Sequence, residues 1–154
     1  MITVTSEMLG QIAATVLADC AFLTLDPAPN DVTWPPEVLI AEIPFAGVTA
    51  GRLILAACES LVVEATADML RLDRRDPLAS DAAPATLAEL SNVLLGVLAG
   101  RFFDATPPCE VGLPTTRRGL WPRTDAGVRC SSVLVDSAAR PVAVALTTPA
   151  VRLT

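Results

Sequence analysis

The apolar residues of this 154-residue chain are divided among short segments, some with helical and some with strand periodicity. Hydrophobic residues make up 52% of the chain and mean hydropathy is +0.52. The longest apolar runs, near residues 38–45 and 93–99, are nevertheless interrupted by Glu42, Pro44 and Gly96. A bilayer-spanning helix needs about 20 consecutive apolar residues. The pattern therefore predicts one globular domain, residues 1–154, that does not enter a membrane.

Two helices are expected in the first half of the chain. The first is predicted to be capped by Ser6, and its apolar residues recur at three- and four-residue steps from Leu9 to Cys20. The second begins near Glu59 and ends in the charged stretch at residues 73–77.

The third predicted helix is the longest. Residues 78–83 are interpreted as a linker of small and polar residues, and Pro84 as the first-turn proline that opens the helix. The helix is expected to end before residues 104–108. Its apolar stripe consists of Leu87, Leu90, Leu94, Val97 and Leu98.

The strand candidates are short runs rich in β-branched residues. The first two are joined near Gly47 as an antiparallel pair, and Gly51 in the second indicates a bulge or a close backbone approach. The last two are joined by residues 137–140 as a hairpin. The predicted strands are residues 38–45, 48–56, 110–115, 128–136 and 141–148. The order α-β-β-α-α-β-β-β predicts an α+β fold, a mostly antiparallel sheet with long helices packed on it.

Composition excludes several functional classes. The chain has no histidine, which excludes imidazole-based catalysis, and its four scattered cysteines favour reduced thiols over a zinc site or disulfides. The net charge of −6, with arginine as the only basic residue, disfavours nucleic-acid binding. Residues 1–25 lack the positively charged start of a secretory signal, so a cytoplasmic location is expected.

Three further groups of residues are interpreted as solvated or as packing residues rather than as functional sites. The acidic residues could be imagined as ligands of a hard cation, but they lack the spacing of a calcium loop and are interpreted as solvated. The arginines could contact an anion or an acidic partner, but solvation is preferred. The tryptophans are assigned to core or edge packing. These groups are Asp73, Asp76 and Asp81; Arg117, Arg118 and Arg123; and Trp34 and Trp121.

The third helix carries the most informative polar residues. Glu89 and Asn92 are three residues apart, so they lie roughly 60° apart around the helix axis, away from the leucine stripe. Gly96 and Gly100 continue the same face, although each glycine costs a helix up to about 1 kcal/mol relative to alanine. Such a face is what a docking surface would look like, but alone the pattern favours a solvated Glu beside a neutral Asn.

The segment ELSNVLLG at residues 89–96 resembles the E-x-x-N helix of the CheX/CheC group of chemotaxis phosphatases. Upstream, FAGVTAGRLIL at residues 45–55 is similar to the strand pair of that family. Downstream, LPT at residues 113–115 with Gly119 resembles its proline-threonine segment. The resemblance covers about residues 38–119 and, through the order of strands, most of the chain.

The match is better to the CheX type, with one E-x-x-N site, than to the two-site CheC type. Ala85 occupies the position where the stricter CheC pattern has Asp or Ser, and the proline of that pattern falls one position later than Pro114. The first helix has no second E-x-x-N motif, since Gly10 follows three residues after Glu7.

The resemblance implies a phosphatase that hydrolyses the aspartyl phosphate of a CheY-like response regulator. In this family the amide at the position of Asn92 orients the attacking water, and the carboxylate at the position of Glu89 pairs with a regulator lysine. Gly96 and Gly100 would contact the partner. The chain would need no cofactor of its own, since Mg²⁺ is held by the regulator, and it would form a homodimer. The alternative is a catalytically inactive module on the same fold that binds a response regulator or dimerises.

Overall fold

The computed structural model describes residues 4–47, 50–103, 108–122 and 128–147, and within these ranges it has three helices and seven strands. The helices are α1 (Ser6–Ala21), α2 (Glu59–Leu70) and α3 (Pro77–Leu98), which runs into a π-helical turn, Ala99–Phe103. The strands are β1 (Asp26–Pro27), β2 (Val38–Ala46), β3 (Gly51–Ala57), β4 (Glu110–Val111), β5 (Thr115–Gly119), β6 (Val128–Val135) and β7 (Pro141–Thr147). The predicted α+β class is confirmed.

The described strands form one antiparallel sheet in the order β1-β6-β7-β3-β2-β4, and β5 also pairs with β2. Strands β4 and β5 share the outer side of β2: Val111 lies opposite Phe45, and Gly119 lies opposite Val38. The predicted hairpin joins β6 to β7, with Asp136 N–H donating to the Arg140 carbonyl at 3.2 Å.

The central strands are buried on both faces, which explains why they are continuous apolar runs in the sequence. One face packs on the three helices through alternate residues such as Leu39, Ile43, Leu53, Leu55 and Val144. The opposite face is a smaller cluster of Val38, Ile40, Ile54, Ala56, Ala143 and Ala145. Trp34 and Trp121 pack against this second cluster with ring centroids 6.3 Å apart, in agreement with the predicted core or edge packing.

The predicted start of α3 is wrong. Residues 78–83 are helical rather than a linker, because the Asp76 side chain caps the helix by accepting a hydrogen bond from Leu78 N–H at 3.0 Å. Pro77 is the first-turn proline, where no N–H is needed. Pro84 therefore lies inside the helix.

Smaller differences concern element ends. The cap of α1 is Thr5, whose Oγ1 accepts from Met8 N–H at 3.2 Å, whereas the Ser6 hydroxyl accepts from Ser131 N–H at 3.3 Å. The predicted strand at 110–115 is two strands, β4 and β5, separated by Gly112, Leu113 and Pro114. Residues 48, 49 and 148 of the predicted strands lie outside the described residues.

The close approach predicted at Gly51 is confirmed. A Cβ at this position would clash with the main-chain carbonyl oxygen of Thr147 on β7. Only glycine therefore lets β3 begin in register with β7 here.

One segment of the described residues, Pro77–Phe103, is long and apolar enough to cross a membrane by length and composition alone. The mean hydropathy of its most apolar 18-residue window is 1.4, and 44% of that window is buried inside the structure. A core helix has the same properties. The buried stripe of α3, which packs on β2, β3 and α2, accounts for the composition.

Candidate functional site: the outer face of α3

Helix α3 is held rigidly along its inner side. Leu87, Leu90, Leu94, Leu95 and Leu98 are buried against the sheet and the other helices. At its far end, the Phe103 ring of the π-helical turn stacks on the Phe45 ring of β2, with centroids 5.0 Å apart and planes 12° apart. The rotation of α3 about its axis is therefore fixed, and with it the direction of its outer residues.

Glu89 and Asn92 are both exposed on the outer face of α3. Neither side chain forms a hydrogen bond or an ion pair with another described residue. Three residues of α-helix place them roughly 60° apart in rotation and about 4.5 Å apart along the axis. The structure thus brings together a carboxylate and an amide that are available to an outside partner.

The backbone around this pair is uncovered. Gly96 and Gly100 are exposed, and a Cβ added at either would meet no atom within 4 Å. Ala85, one turn before Glu89, is also exposed and offers only a methyl group. No internal packing requires these two glycines, so their helix cost of up to about 1 kcal/mol each is unexplained by the fold.

Sequence reasoning missed a groove on the side of α3 that faces α1. It has a volume of about 220 Å³ and is lined by Gln11, Ile12, Thr15, Val16, Val97 and Arg101, so it lies between α1 and the end of α3. The only signal in the sequence is Arg101, the single cation between residues 77 and 103.

The neighbouring arginines of β5 are occupied within the molecule. Arg117 Nη2 lies 3.2 Å from Glu42 Oε1, and Arg118 Nη2 lies 2.6 Å from Glu59 Oε1. The hydrogen bond from Arg118 holds the pKa of the Glu59 carboxyl below its ordinary value. Both arginines are about half exposed, and each has a carboxylate partner. Arg123 lies outside the described residues.

Helix α1 offers no counterpart to Asn92. Gly10, three residues after Glu7, is buried, and a Cβ there would clash with the side chain of Ser132 on β6. The position that would carry the second amide is thus a contact between α1 and the sheet. An asparagine could not be accommodated at position 10 without moving α1.

The acidic residues near the start of α3 have local structural roles. Asp76 caps the helix, and Asp73 Oδ1 accepts from Arg75 N–H at 2.8 Å. Asp81 is exposed on α3. Within the part of the chain that the structure describes, no three His, Cys, Asp or Glu side chains are grouped as a metal site.

The sequence matches no family model and no curated protein. Its fold, however, matches solved structures over nearly the whole chain. CheX from Vibrio vulnificus superposes with a TM-score of 0.72 at 16% identity, covering 92% of this chain and 93% of that one.

Two further structures extend the comparison. The CheX–CheY–BeF3–Mg²⁺ complex from Borrelia burgdorferi matches with a TM-score of 0.69 at 14% identity, covering 92% of this chain and 96% of that one. FliY from Thermotoga maritima matches with a TM-score of 0.58 at 13% identity, covering 96% and 92%. The chain therefore has the CheX/CheC fold, and the resemblance found in its sequence is confirmed at the level of the fold.

Proposed function

We propose that this chain is a phosphatase that hydrolyses the aspartyl phosphate of a CheY-like response regulator. One observation carries the proposal: Glu89 and Asn92, which have no partner among the described residues, lie together on an exposed helical face with bare backbone around them. The fold shared with CheX, and the CheX–CheY complex among the matching structures, support a CheY-like partner.

Hydrolysis of an aspartyl phosphate requires few chemical groups from the phosphatase. A phospho-aspartate is an acyl phosphate with a good leaving group, so hydrolysis needs a water molecule placed in line with the phosphorus. The Asn92 amide can accept a hydrogen bond from such a water through its oxygen and donate one through its nitrogen. Held by a rigid helix, it fixes the position of the water without acting as a nucleophile. The Mg²⁺ belongs to the regulator, which supplies its ligands.

Glu89 has a different role in this proposal. Its carboxylate pairs with a lysine on the regulator and sets the register in which Asn92 enters the regulator's active site. Gly96 and Gly100 let the regulator approach the backbone of α3, since no side chain projects there. Loss of the Glu89 charge should thus weaken docking, because a charge-assisted hydrogen bond is lost.

The test is the decay of a phosphorylated CheY-type receiver domain in the presence of this protein. Glu89→Gln should raise KM about tenfold because docking is weakened, and it should lower kcat much less than Asn92→Ala does, because the amide that orients the water is retained. If wild-type protein accelerates the decay of no cognate receiver domain, the proposed activity is wrong.

A second candidate is a catalytically silent module that binds a regulator or dimerises. Two observations favour it: the outer edge of β5 pairs with no described strand, and Ala85 replaces the Asp or Ser of the stricter CheC pattern. An exposed edge can add a strand from another chain. This module would bind the activated receiver domain without shortening its phosphorylated lifetime.

The proposed homodimer and the cytoplasmic location belong to the same proposal. A dimer would place the exposed β5 edge, Thr115–Gly119, against a second copy. Light scattering across a dilution series would give its mass and dissociation constant. A monomer at concentrations well above those of the assay would contradict the dimer without affecting the activity.

A further inference from the structure

Val93 is an apolar residue on the outer face of α3. Its side chain is 41% exposed, whereas Leu90, Leu94 and Leu95 of the same two turns are buried. Valine is also less favourable in a helix than alanine, because its branched Cβ loses rotational freedom there. Single exposed apolar residues are common on protein surfaces, so the informative feature of Val93 is its position.

Val93 lies beside both polar residues of the candidate site. Four residues of α-helix place it roughly 40° from Glu89 and about 6 Å further along the axis. Asn92 is roughly 60° from Glu89 in the opposite direction of rotation. The three residues thus share an arc of roughly 100° with Glu89 between the other two. An interface of standard size, about 800 Å² per partner, that is centred on Asn92 and Glu89 covers Val93 as well.

The four residues Glu89, Asn92, Val93 and Gly96 have the spacing i, i+3, i+4 and i+7. In coiled coils, residues with this spacing form the hole that receives a side chain of the partner. Helical side chains lean toward the N-terminus of the helix, so a side chain at residue 96 would extend over the space between Asn92 and Val93. Gly96 has none, and a Cβ built there meets no atom within 4 Å. The hole is therefore open, with Asn92 on one side, Val93 on the other and Glu89 at its N-terminal end.

We infer that Val93 is a further docking residue, whose methyl groups pack on the aliphatic stem of the receiver-domain lysine that pairs with Glu89. The inference rests on the proposed function, because it takes this lysine from the receiver domain docked at Asn92. A lysine has four methylene groups below its ammonium, and such stems pack on apolar surface while the charged end finds a polar partner. Val93 also excludes water from one side of the ion pair, which strengthens it because the charges are screened less.

Two other roles of Val93 predict different results. If Val93 is an ordinary surface residue, Val93→Ala leaves affinity for the receiver domain unchanged. If Val93 instead joins two copies of this chain, Val93→Ala shifts the protein toward monomer in light scattering. A docking residue raises Kd for the receiver domain when it is truncated and leaves the mass of the free protein unchanged. The helix itself gains propensity from alanine, so a loss of affinity would not follow from unfolding of α3.

The experiment compares Val93→Ala with Val128→Ala. Val128 is the matched control, a valine with 39% exposure on β6, the strand that packs against α1. Kd is measured for a CheY-type receiver domain that wild-type protein dephosphorylates, activated with beryllium fluoride and Mg²⁺. Glu89→Gln and the double variant Val93→Ala with Glu89→Gln complete a double-mutant cycle. Circular dichroism reports the folding and melting temperature of each variant.

We expect Val93→Ala to raise Kd about fivefold, the loss that follows when two partly exposed methyl groups no longer pack on the partner. Val128→Ala should change Kd by less than about twofold. Val93→Ile keeps the apolar contact and should bind within about twofold of wild type. The double variant should raise Kd at least about twofold less than the product of the two separate effects, because both residues act on one lysine.

Three results would overturn the inference and leave the proposed phosphatase intact. The first is an equal Kd for Val93→Ala and Val128→Ala. The second is a double variant whose effect equals the product of the single effects, because Val93 would then act independently of the lysine at Glu89. The third is a shift of Val93→Ala toward monomer. If wild-type protein dephosphorylates no receiver domain, the proposed function fails, and this contact fails with it.

Discussion

Two glycines of this chain lie in opposite surroundings. A Cβ at Gly51 would clash with the Thr147 carbonyl, whereas a Cβ at Gly96 would meet nothing within 4 Å. Gly51 is thus required by the sheet. Gly96 weakens its helix, and the fold gains no internal contact in return.

Replacing these residues by alanine should have opposite effects on stability. Gly96→Ala should raise the free energy of unfolding by about 0.5–1 kcal/mol, because the helix gains propensity and the methyl group clashes with nothing. Gly51→Ala should lower it by about 2 kcal/mol or more, because the β3–β7 register must shift. Urea denaturation monitored by circular dichroism measures both. A destabilising Gly96→Ala would mean that the outer face of α3 is not open.

The exposure of Glu89 and Asn92 could be predicted from the sequence because the leucine stripe determines how α3 rotates toward the core. The burial of Gly10 could not be predicted, since no local signal says that Ser132, more than a hundred residues away, packs against it. The groove at Arg101 was missed for the same reason. A surface formed by two helices depends on their relative position, which periodicity within one helix does not contain.

At the scale of elements, α3 begins at a strong capping signal and continues through a proline in its interior. Asp76 followed by Pro77 is a strong helix start, and Ala79 and Ala83 are buried within the first two turns. Burial of these two turns offsets the hydrogen bond that Pro84 cannot donate to the carbonyl four residues earlier. The predicted start at Pro84 was wrong because the Asp76 cap and the burial of Ala79 and Ala83 favour a start at Pro77.

Pro84→Ala should therefore stabilise the protein. The new N–H can donate to the carbonyl one turn earlier, and alanine favours the helix interior by about 3 kcal/mol over proline. Alanine also makes the unfolded chain more flexible than proline does, which lowers the free energy of unfolding by up to about 1 kcal/mol. We expect a net gain of about 2 kcal/mol and a rise in melting temperature of several degrees in thermal denaturation. A decrease in melting temperature would show that Pro84 is a required packing residue.

At the scale of the whole molecule, long-range ion pairs tie the sheet to α2. Arg140, on the β6–β7 hairpin, donates from Nη2 to Glu64 of α2 at 2.6 Å and from Nε to Asp136 at 2.8 Å. The hydrogen bond from Arg140 lowers the pKa of Glu64 despite some burial. Burial tends to raise the pKa of Asp136, but the hydrogen bonds from Arg140 lower it overall.

These shifts set the pH dependence of stability. Because both carboxyl pKa values are lower in the folded state, the unfolded state binds more protons, and stability rises with pH through the range in which they titrate. The contribution is fully present above the ordinary carboxyl pKa of about 4 and is lost as pH falls through the folded values. The chain has no histidine, so we expect nearly constant stability between about pH 6 and 8.

Urea denaturation at a series of pH values measures this dependence. Arg140→Met is the informative variant, because it removes the one arginine that donates to both carboxylates. It should flatten the loss of stability between about pH 5 and 3 relative to wild type. An unchanged slope would mean that other carboxylates control acid unfolding.

The arrangement of the whole sheet could be predicted only in part. The hairpins β2–β3 and β6–β7 follow from adjacent apolar runs with short connections. The pairing of β3 with β7 and of β5 with β2 joins segments far apart in the sequence, and propensity does not encode such pairings. The order of elements predicted a mostly antiparallel sheet but not which of its distant strands pair.

The most direct test of the central claim is the first-order decay rate of a phosphorylated CheY-type receiver domain with saturating wild-type protein, Asn92→Ala or Asn30→Ala. Asn30 is the matched control, an exposed loop asparagine and the only other asparagine in the chain. If the Asn92 amide positions the attacking water, Asn92→Ala should lose about a hundredfold or more of the acceleration while still binding the receiver domain. Asn30→Ala should match wild type. Equal acceleration by wild type and Asn92→Ala would contradict the account.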